Sequence, residues 1–137
     1  MEYIQEMSYL LDTHVWLWSL RTQEKLNRRV QQLMSKPQTE LYLSPISIWE
    51  ANHLNQRKRL NLTSDSNQWL TESLSNSPVQ SVPINFDVAI QASRIHLPQP
   101  DFGDTFLAAT AIVFDLTLIT ADEQLLNSKW LKTLPAS

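Results

Sequence analysis

Cysteine is absent from the 137 residues, which excludes disulfides, zinc–thiolate sites and thiol catalysis. Glycine is nearly absent too. The only one is Gly103, so no phosphate-cradling loop built on several glycines can form. That removes the dinucleotide fingerprint, the P-loop and the kinase-type lid. Any phosphate this chain handles must be met by side chains or metal ions. Long apolar runs are missing as well: the longest are about four or five residues, against the roughly 20 of a membrane-spanning helix. The start, Met1-Glu2-Tyr3-Ile4-Gln5-Glu6, has neither the basic opening nor the apolar stretch of a signal peptide. The expectation is a soluble, cytoplasmic protein with no membrane partner.

What is present is ordinary globular composition, with 42% apolar and 18% charged residues. The length corresponds to one domain, spanning residues 1–137, that buries roughly two-thirds of its unfolded surface. No internal repeat, low-complexity tract or linker divides it. Against 14 acids stand 11 bases, a formal charge of −3, which taken alone weighs against nucleic acid as a partner.

Short apolar runs alternate with longer amphipathic ones. Ser8-Tyr9-Leu10-Leu11-Asp12 reads as a buried strand ending in a carboxylate. Val15 to Leu20, then Leu26, Val30, Leu33 and Met34, continue at helical spacing until Pro37 closes the helix. Glu40–Ser44 is a second strand. Pro45 and Ser47 open the next helix, with Ser47 and Glu50 spaced as a capping box. A helix over 67–75 follows, then a strand over 79–84 that Pro83 sends towards an edge. A short helix carries Phe86, Ala89 and Ile90. A buried helix runs from Asp104 to Phe114, a fourth strand covers 116–120, and the tail to Leu134 adds a last short strand. Strands separated by helices predict an α/β sandwich around a mainly parallel sheet of four to five strands.

Four carboxylates then fall near one rim of that sheet. Asp12 follows the first strand and Asp122 lies two residues past Thr120; Glu50 sits in the first turn after the second strand, and Asp104 opens the helix leading to the fourth. Ligands of open parallel sheets bind at the carboxyl ends of the strands. Two bare carboxylates about 5 Å apart repel by roughly 3 kcal/mol at an effective dielectric of 20. Such a cluster needs a cation or bound protons. Oxygen ligands without His or Cys select Mg²⁺ or Mn²⁺, which can activate water against a phosphodiester. Each acid also has a plain structural use: Asp104 and Asp122 stand where helix-capping acids are favoured, and Glu50 fits its capping box. Asp12 has no such excuse.

Rival Asp-based enzymes fail on the page. A haloacid-dehalogenase-like phosphatase wants a second Asp where His14 stands, and a response-regulator receiver wants a Lys where Ala121-Asp122-Glu123 follows the last main strand. Glu50 and His53 have the spacing of a di-iron bundle, but no second pair exists.

These residues resemble a family. Leu10-Leu11-Asp12-Thr13-His14-Val15-Trp16-Leu17-Trp18 is similar to the opening of PIN-domain ribonucleases of the VapC toxin type. Ser44-Pro45-Ile46-Ser47-Ile48-Trp49-Glu50, Asp101-Phe102-Gly103-Asp104-Thr105-Phe106 and Leu118-Ile119-Thr120-Ala121-Asp122-Glu123 resemble the later motifs, in the family's order. The resemblance runs from Met7 to nearly the end. It implies a Mg²⁺- or Mn²⁺-dependent endoribonuclease whose metal is held by Asp12, Glu50, Asp104 and Asp122, usually a homodimer inhibited by a small antitoxin. Phe102 and Thr105 depart from the family's usual Pro and Arg, and Lys58 from a common Gly. Met7 aligns with the usual start, which makes Met1–Glu6 an N-terminal extension or the product of an upstream start codon.

The charge objection weakens on this view. Without the four site acids, 14 − 4 = 10 acids face 11 bases. Arg57-Lys58-Arg59 forms a basic knot that could hold an RNA backbone, and Thr13, His14 and Thr120 adjoin the acids as further substrate contacts. A second expectation, from another class, is a catalytically silent scaffold binding a partner through some of Trp16, Trp18, Trp49, Trp69 and Trp130.

Overall fold

The computed structural model describes residues 7–56 and 66–137. The segment Met1–Glu6 and the basic knot Arg57-Lys58-Arg59 therefore lie outside the described residues. Five short strands form one sheet: β1 (Ser8–Leu11), β2 (Glu40–Leu43), β3 (Val79–Ser81), β4 (Thr117–Thr120) and β5 (Thr133–Pro135), in the order β3-β2-β1-β4-β5. Every pairing is parallel, and Leu10 of β1 faces Tyr42 on one side and Leu118 on the other. The crossovers carry α1 (Thr13–Arg21), α2 (Arg28–Ser35), α3 (Pro45–Gln56), α4 (Ser66–Asn76), α5 (Phe86–Ser93), α6 (Phe102–Val113) and α7 (Glu123–Leu126). This is the expected α/β sandwich, with a sheet that is wholly parallel. No described helix is long and apolar enough to cross a membrane.

The central strands carry adjacent apolar residues, Leu10-Leu11, Leu41-Tyr42-Leu43 and Leu118-Ile119, because both sheet faces are covered. Successive side chains point to opposite faces. Leu11 and Ile119 enter one core with Val15, Trp16, Val30 and Leu41; Leu10 and Leu118 enter the other with Leu107, Ala111 and Leu125. Trp18 and Trp69 pack against the first core, so of the five tryptophans only Trp49 and Trp130 stand exposed.

Three expectations need correcting. The helix foreseen from Val15 to Met34 is two helices. α1 stops at Thr22, a 3₁₀ turn covers Gln23–Lys25, and Asn27 restarts the chain by accepting from the Val30 amide at 2.9 Å. Thr and Asn compete for backbone hydrogen bonds and favour caps over helix interiors. Asn27 also donates to the Pro135 carbonyl at 2.9 Å, fastening α2 to β5. The second correction concerns α3, where no Ser47–Glu50 capping box forms. Ser44 caps the helix by accepting from Ile46 at 3.1 Å, and Pro45 is the first helical residue. Glu50 thus sits in the second turn, free for other work. Finally, α6 opens at Phe102 rather than Asp104, with Asp101 as its cap.

From β1 the chain steps outward through β2 to β3, then crosses back to β4 on the other side. The carboxyl ends of β1 and β4 flank the point where strand order reverses, which is where open α/β sheets bind ligands.

Candidate active site

Asp12 leaves the end of β1 at that reversal and is only 8% exposed. Its amide is held by the Ile119 carbonyl at 3.0 Å, and its own carbonyl receives the first α1 bond, from Trp16. The side chain caps nothing. Instead Thr120 donates to Asp12 Oδ2 at 2.6 Å, and the same hydroxyl accepts from the Asp122 amide at 3.0 Å. One buried threonine thus ties the ends of β1 and β4 to both flanking acids.

A second threonine does the same for α3. Thr13 is buried; its hydroxyl donates to Glu50 Oε1 at 2.6 Å and is hydrogen-bonded to Ser47 Oγ at 2.9 Å. The other side of the Glu50 carboxylate rests on Gly103 of α6, where a Cβ would come within 2.7 Å of the Glu50 Cδ. Hence the chain's single glycine sits where the carboxylate needs room, and α3 meets α6 through that contact.

Asp101 caps α6 by accepting from the Asp104 amide at 2.9 Å, which places the two acids one turn apart. Asp104 accepts from Gln124 Nε2 at 3.4 Å. Asp122 caps α7 through the Leu125 amide at 3.1 Å, so its structural use is real.

These groups feel one another. Burial pushes the Asp104 carboxyl from an ordinary 3.8 up to about 7, with the charges of Asp101, Asp12 and Asp122 adding to the rise. Burial likewise raises Asp12, which Asp122 reinforces while Thr120 and His14 oppose. Glu50 is raised by burial and by Asp12 and Asp101, against the Thr13 hydrogen bond and His14. His14 is exposed at the start of α1, its ring 6.4 Å from that of Trp18.

The structure therefore brings Asp12, Glu50, Asp104 and Asp122 into one electrostatic neighbourhood. Among the described residues, no three carboxylates or imidazoles close into a ready-made ligand group. Asp101 is the acid that sequence reasoning left out of the site; its capping place three residues before Asp104 was the available signal. Thr13 and Thr120, expected at the substrate, lie beneath the carboxylates with their hydroxyls already engaged.

The PIN domain family model matches residues 9–130. The chain belongs to the PIN-domain family. Its five-stranded parallel sheet flanked by helices is the PIN fold, and the four candidate acids all fall inside the matched span. No curated protein matches the chain. Among solved structures, FitAcB from Neisseria gonorrhoeae is similar at 27% identity and a TM-score of 0.66, over 92% of this PIN domain and 96% of that chain. VapBC2 from Rickettsia felis, bound to a DNA fragment from its promoter, gives 15% identity and a TM-score of 0.71, over 96% and 100%. A toxin–antitoxin complex from Klebsiella pneumoniae gives 19% and 0.62, over 92% and 95%. At the two lower identities the likeness is one of fold.

Proposed function

We propose that this PIN domain is a metal-dependent endoribonuclease of the VapC type, the toxin of a toxin–antitoxin pair. The observation that carries this is the gathering of Asp12, Glu50, Asp104 and Asp122 at the strand reversal, with Asp104 pushed up to about 7. Burial and the neighbouring carboxylates raise that group together, and a bound cation would relieve both. The donor set is all oxygen, with Asp12 buried and the other three acids half-buried, which suits a hard divalent cation that keeps some of its waters. Asp12 and Asp104 would be the main ligands of Mg²⁺ or Mn²⁺, with Glu50 and Asp122 completing the site directly or through waters. When bound, such an ion neutralises the phosphate and acidifies an attacking water.

The protein's own contribution is positioning. Thr120 fixes Asp12 and the Asp122 backbone, Thr13 fixes Glu50, and Gly103 leaves the space that lets Glu50 approach. Exposed His14, next to Asp12 in the chain but one, would meet a substrate phosphate. Arg57-Lys58-Arg59, outside the described residues, would add backbone contacts to RNA. The several similar structures that are toxin–antitoxin complexes support an antitoxin partner. Exposed Trp49, Phe86, Ile90 and Phe102 leave apolar surface for a second copy, as a homodimer requires.

A second reading has one observation in its favour: no ready-made ligand group exists among the described residues. On it, the domain is a silent scaffold that binds a partner through exposed Trp49 or Trp130. Cleavage of a mixed RNA pool with Mn²⁺, with EDTA and with Asp12→Ala separates the two. Cuts that need metal and vanish in the variant support the nuclease. A folded protein that neither cuts nor binds Mn²⁺ supports the scaffold.

A further inference from the structure

Residues 94–100 run beside residues 122–131, joined by the Gln99–Gln124 hydrogen bonds at 3.1 and 3.0 Å and by packing of Leu97 with Leu125 and Leu131. Two open depressions lie along this seam. The upper one, about 440 Å³, includes Asp122 and Gln124 and so adjoins the candidate active site. The lower one, about 520 Å³, is walled by Arg94, His96, Ile112 and Trp130. Trp130 is 50% exposed, and its other side borders a further hollow edged by Lys132 and Asp115.

The charge along the seam changes sign. Its upper end is acidic. At its lower end Lys132 pairs with Asp115 at 2.5 Å, while no carboxylate among the described residues pairs with Arg94. Exposed Lys129 adjoins Trp130 in the chain. A half-exposed indole sharing a depression with an unpaired guanidinium matches a base with its phosphate: aromatic rings stack on any base, and Arg holds phosphate oxygens. The lower end also lies at a useful distance. Ile112 is eight residues along α6 from Asp104, about 12 Å of helix rise. That is about three to four nucleotides at stacked spacing.

Resting on the ribonuclease reading, we infer that the seam is a track for single-stranded RNA leading away from the active site, in which Trp130 stacks on a base and Arg94 holds a phosphate. The strand is read there without sequence preference, and the carboxylate end holds the segment to be cut.

The test is binding of a labelled 12-nucleotide RNA in EDTA, where nothing is cleaved. Trp130→Ala and Arg94→Ala should each weaken binding about tenfold, within the span measured for base stacking, and Trp130→Phe should keep most of it. Arg94 is exposed and unpaired, so its variant decides the matter if Trp130→Ala fails to fold. Equal affinity in all variants overturns the track. So does a Trp130→Ala protein that binds RNA normally but changes its self-association, which would make the face a protein interface. A chain that binds as described yet never cuts RNA keeps the track and loses the nuclease; one that cuts but binds alike in every variant loses only the track.

Discussion

The Glu50 carboxylate lies directly on the Cα of Gly103, and no other residue in the chain could stand there without moving it. Thr13 donates to Oε1 of that carboxylate at 2.6 Å, so the half-buried group is bracketed by α1 and α6. Gly103→Ala should therefore displace Glu50 and break its bond to Thr13. Alanine is also the better helix former by about 1 kcal/mol, which offsets part of the damage to stability. The expected outcome is a melting temperature within a few degrees of the wild type and RNA cleavage reduced about tenfold or more. Full activity in Gly103→Ala would mean that Glu50 does not need this position.

Thr120 makes a different kind of contact, serving two acids through one buried hydroxyl. Thr120→Val keeps the shape but removes the donor to Asp12 and the acceptor for the Asp122 amide. Leaving buried polar groups unpaired costs about 1–3 kcal/mol each, so urea unfolding should register a loss near the lower end or above. Thr120→Ser should restore most of it, which a loss due to packing alone would not allow. Mn²⁺ affinity should follow the same order in a calorimetric titration.

The central strands were legible from short apolar runs bounded by Ser, Pro and Asp; β3 does lie at the edge, as Pro83 suggested, but it ends at Ser81 rather than at residue 84. Asp12 and Asp122 stood out because each lies just past the end of a strand, whereas Glu50 and Asp104 lie inside α3 and α6, beyond the helix starts that the spacing suggested. What could not be read was which side chain would serve which neighbour. Ser47 and Glu50 have capping-box spacing, yet Ser44 took the cap and Glu50 turned to Thr13, 37 residues away. Local spacing describes partners within one turn; it is silent about a hydroxyl arriving from another crossover. Asp101 was passed over for the same reason, since its effect on Glu50 depends on how α6 packs against α3. The break between α1 and α2 was hidden because the apolar spacing runs across it unchanged, and Thr22 and Asn27 were the only signs.

Proton uptake at the site fixes a pH dependence. In the metal-free protein Asp12, Glu50 and Asp104 all have carboxyls raised above their ordinary range. A raised group binds protons more tightly folded than unfolded. Its contribution is complete below the unfolded value and is lost as pH climbs through the folded one, for Asp104 from 3.8 to about 7. In EDTA, stability should therefore fall as pH rises from about 4 to about 7, and Asp104→Asn should flatten that slope. Added Mn²⁺ competes with the same protons, so its stabilisation should grow over the same interval. Thermal melts in EDTA that rise from about pH 4 to about 7, unchanged by Asp104→Asn, would contradict the coupling.

Asp122 has two uses that substitution can part. It caps α7 through the Leu125 amide and lends its charge to Asp12 and Asp104. Asn keeps a cap oxygen but carries no charge, whereas Ala loses both; removing such a cap costs about 0.5–2 kcal/mol. Asp122→Asn should thus unfold with the wild type, within about 0.5 kcal/mol, and Asp122→Ala well before it. If the charge serves catalysis, both variants should lose cleavage to a similar degree, because the missing carboxylate is common to them. Cleavage that tracks stability instead, retained in Asn and lost only in Ala, would reduce Asp122 to a helix cap and leave Asp12, Glu50 and Asp104 to hold the metal.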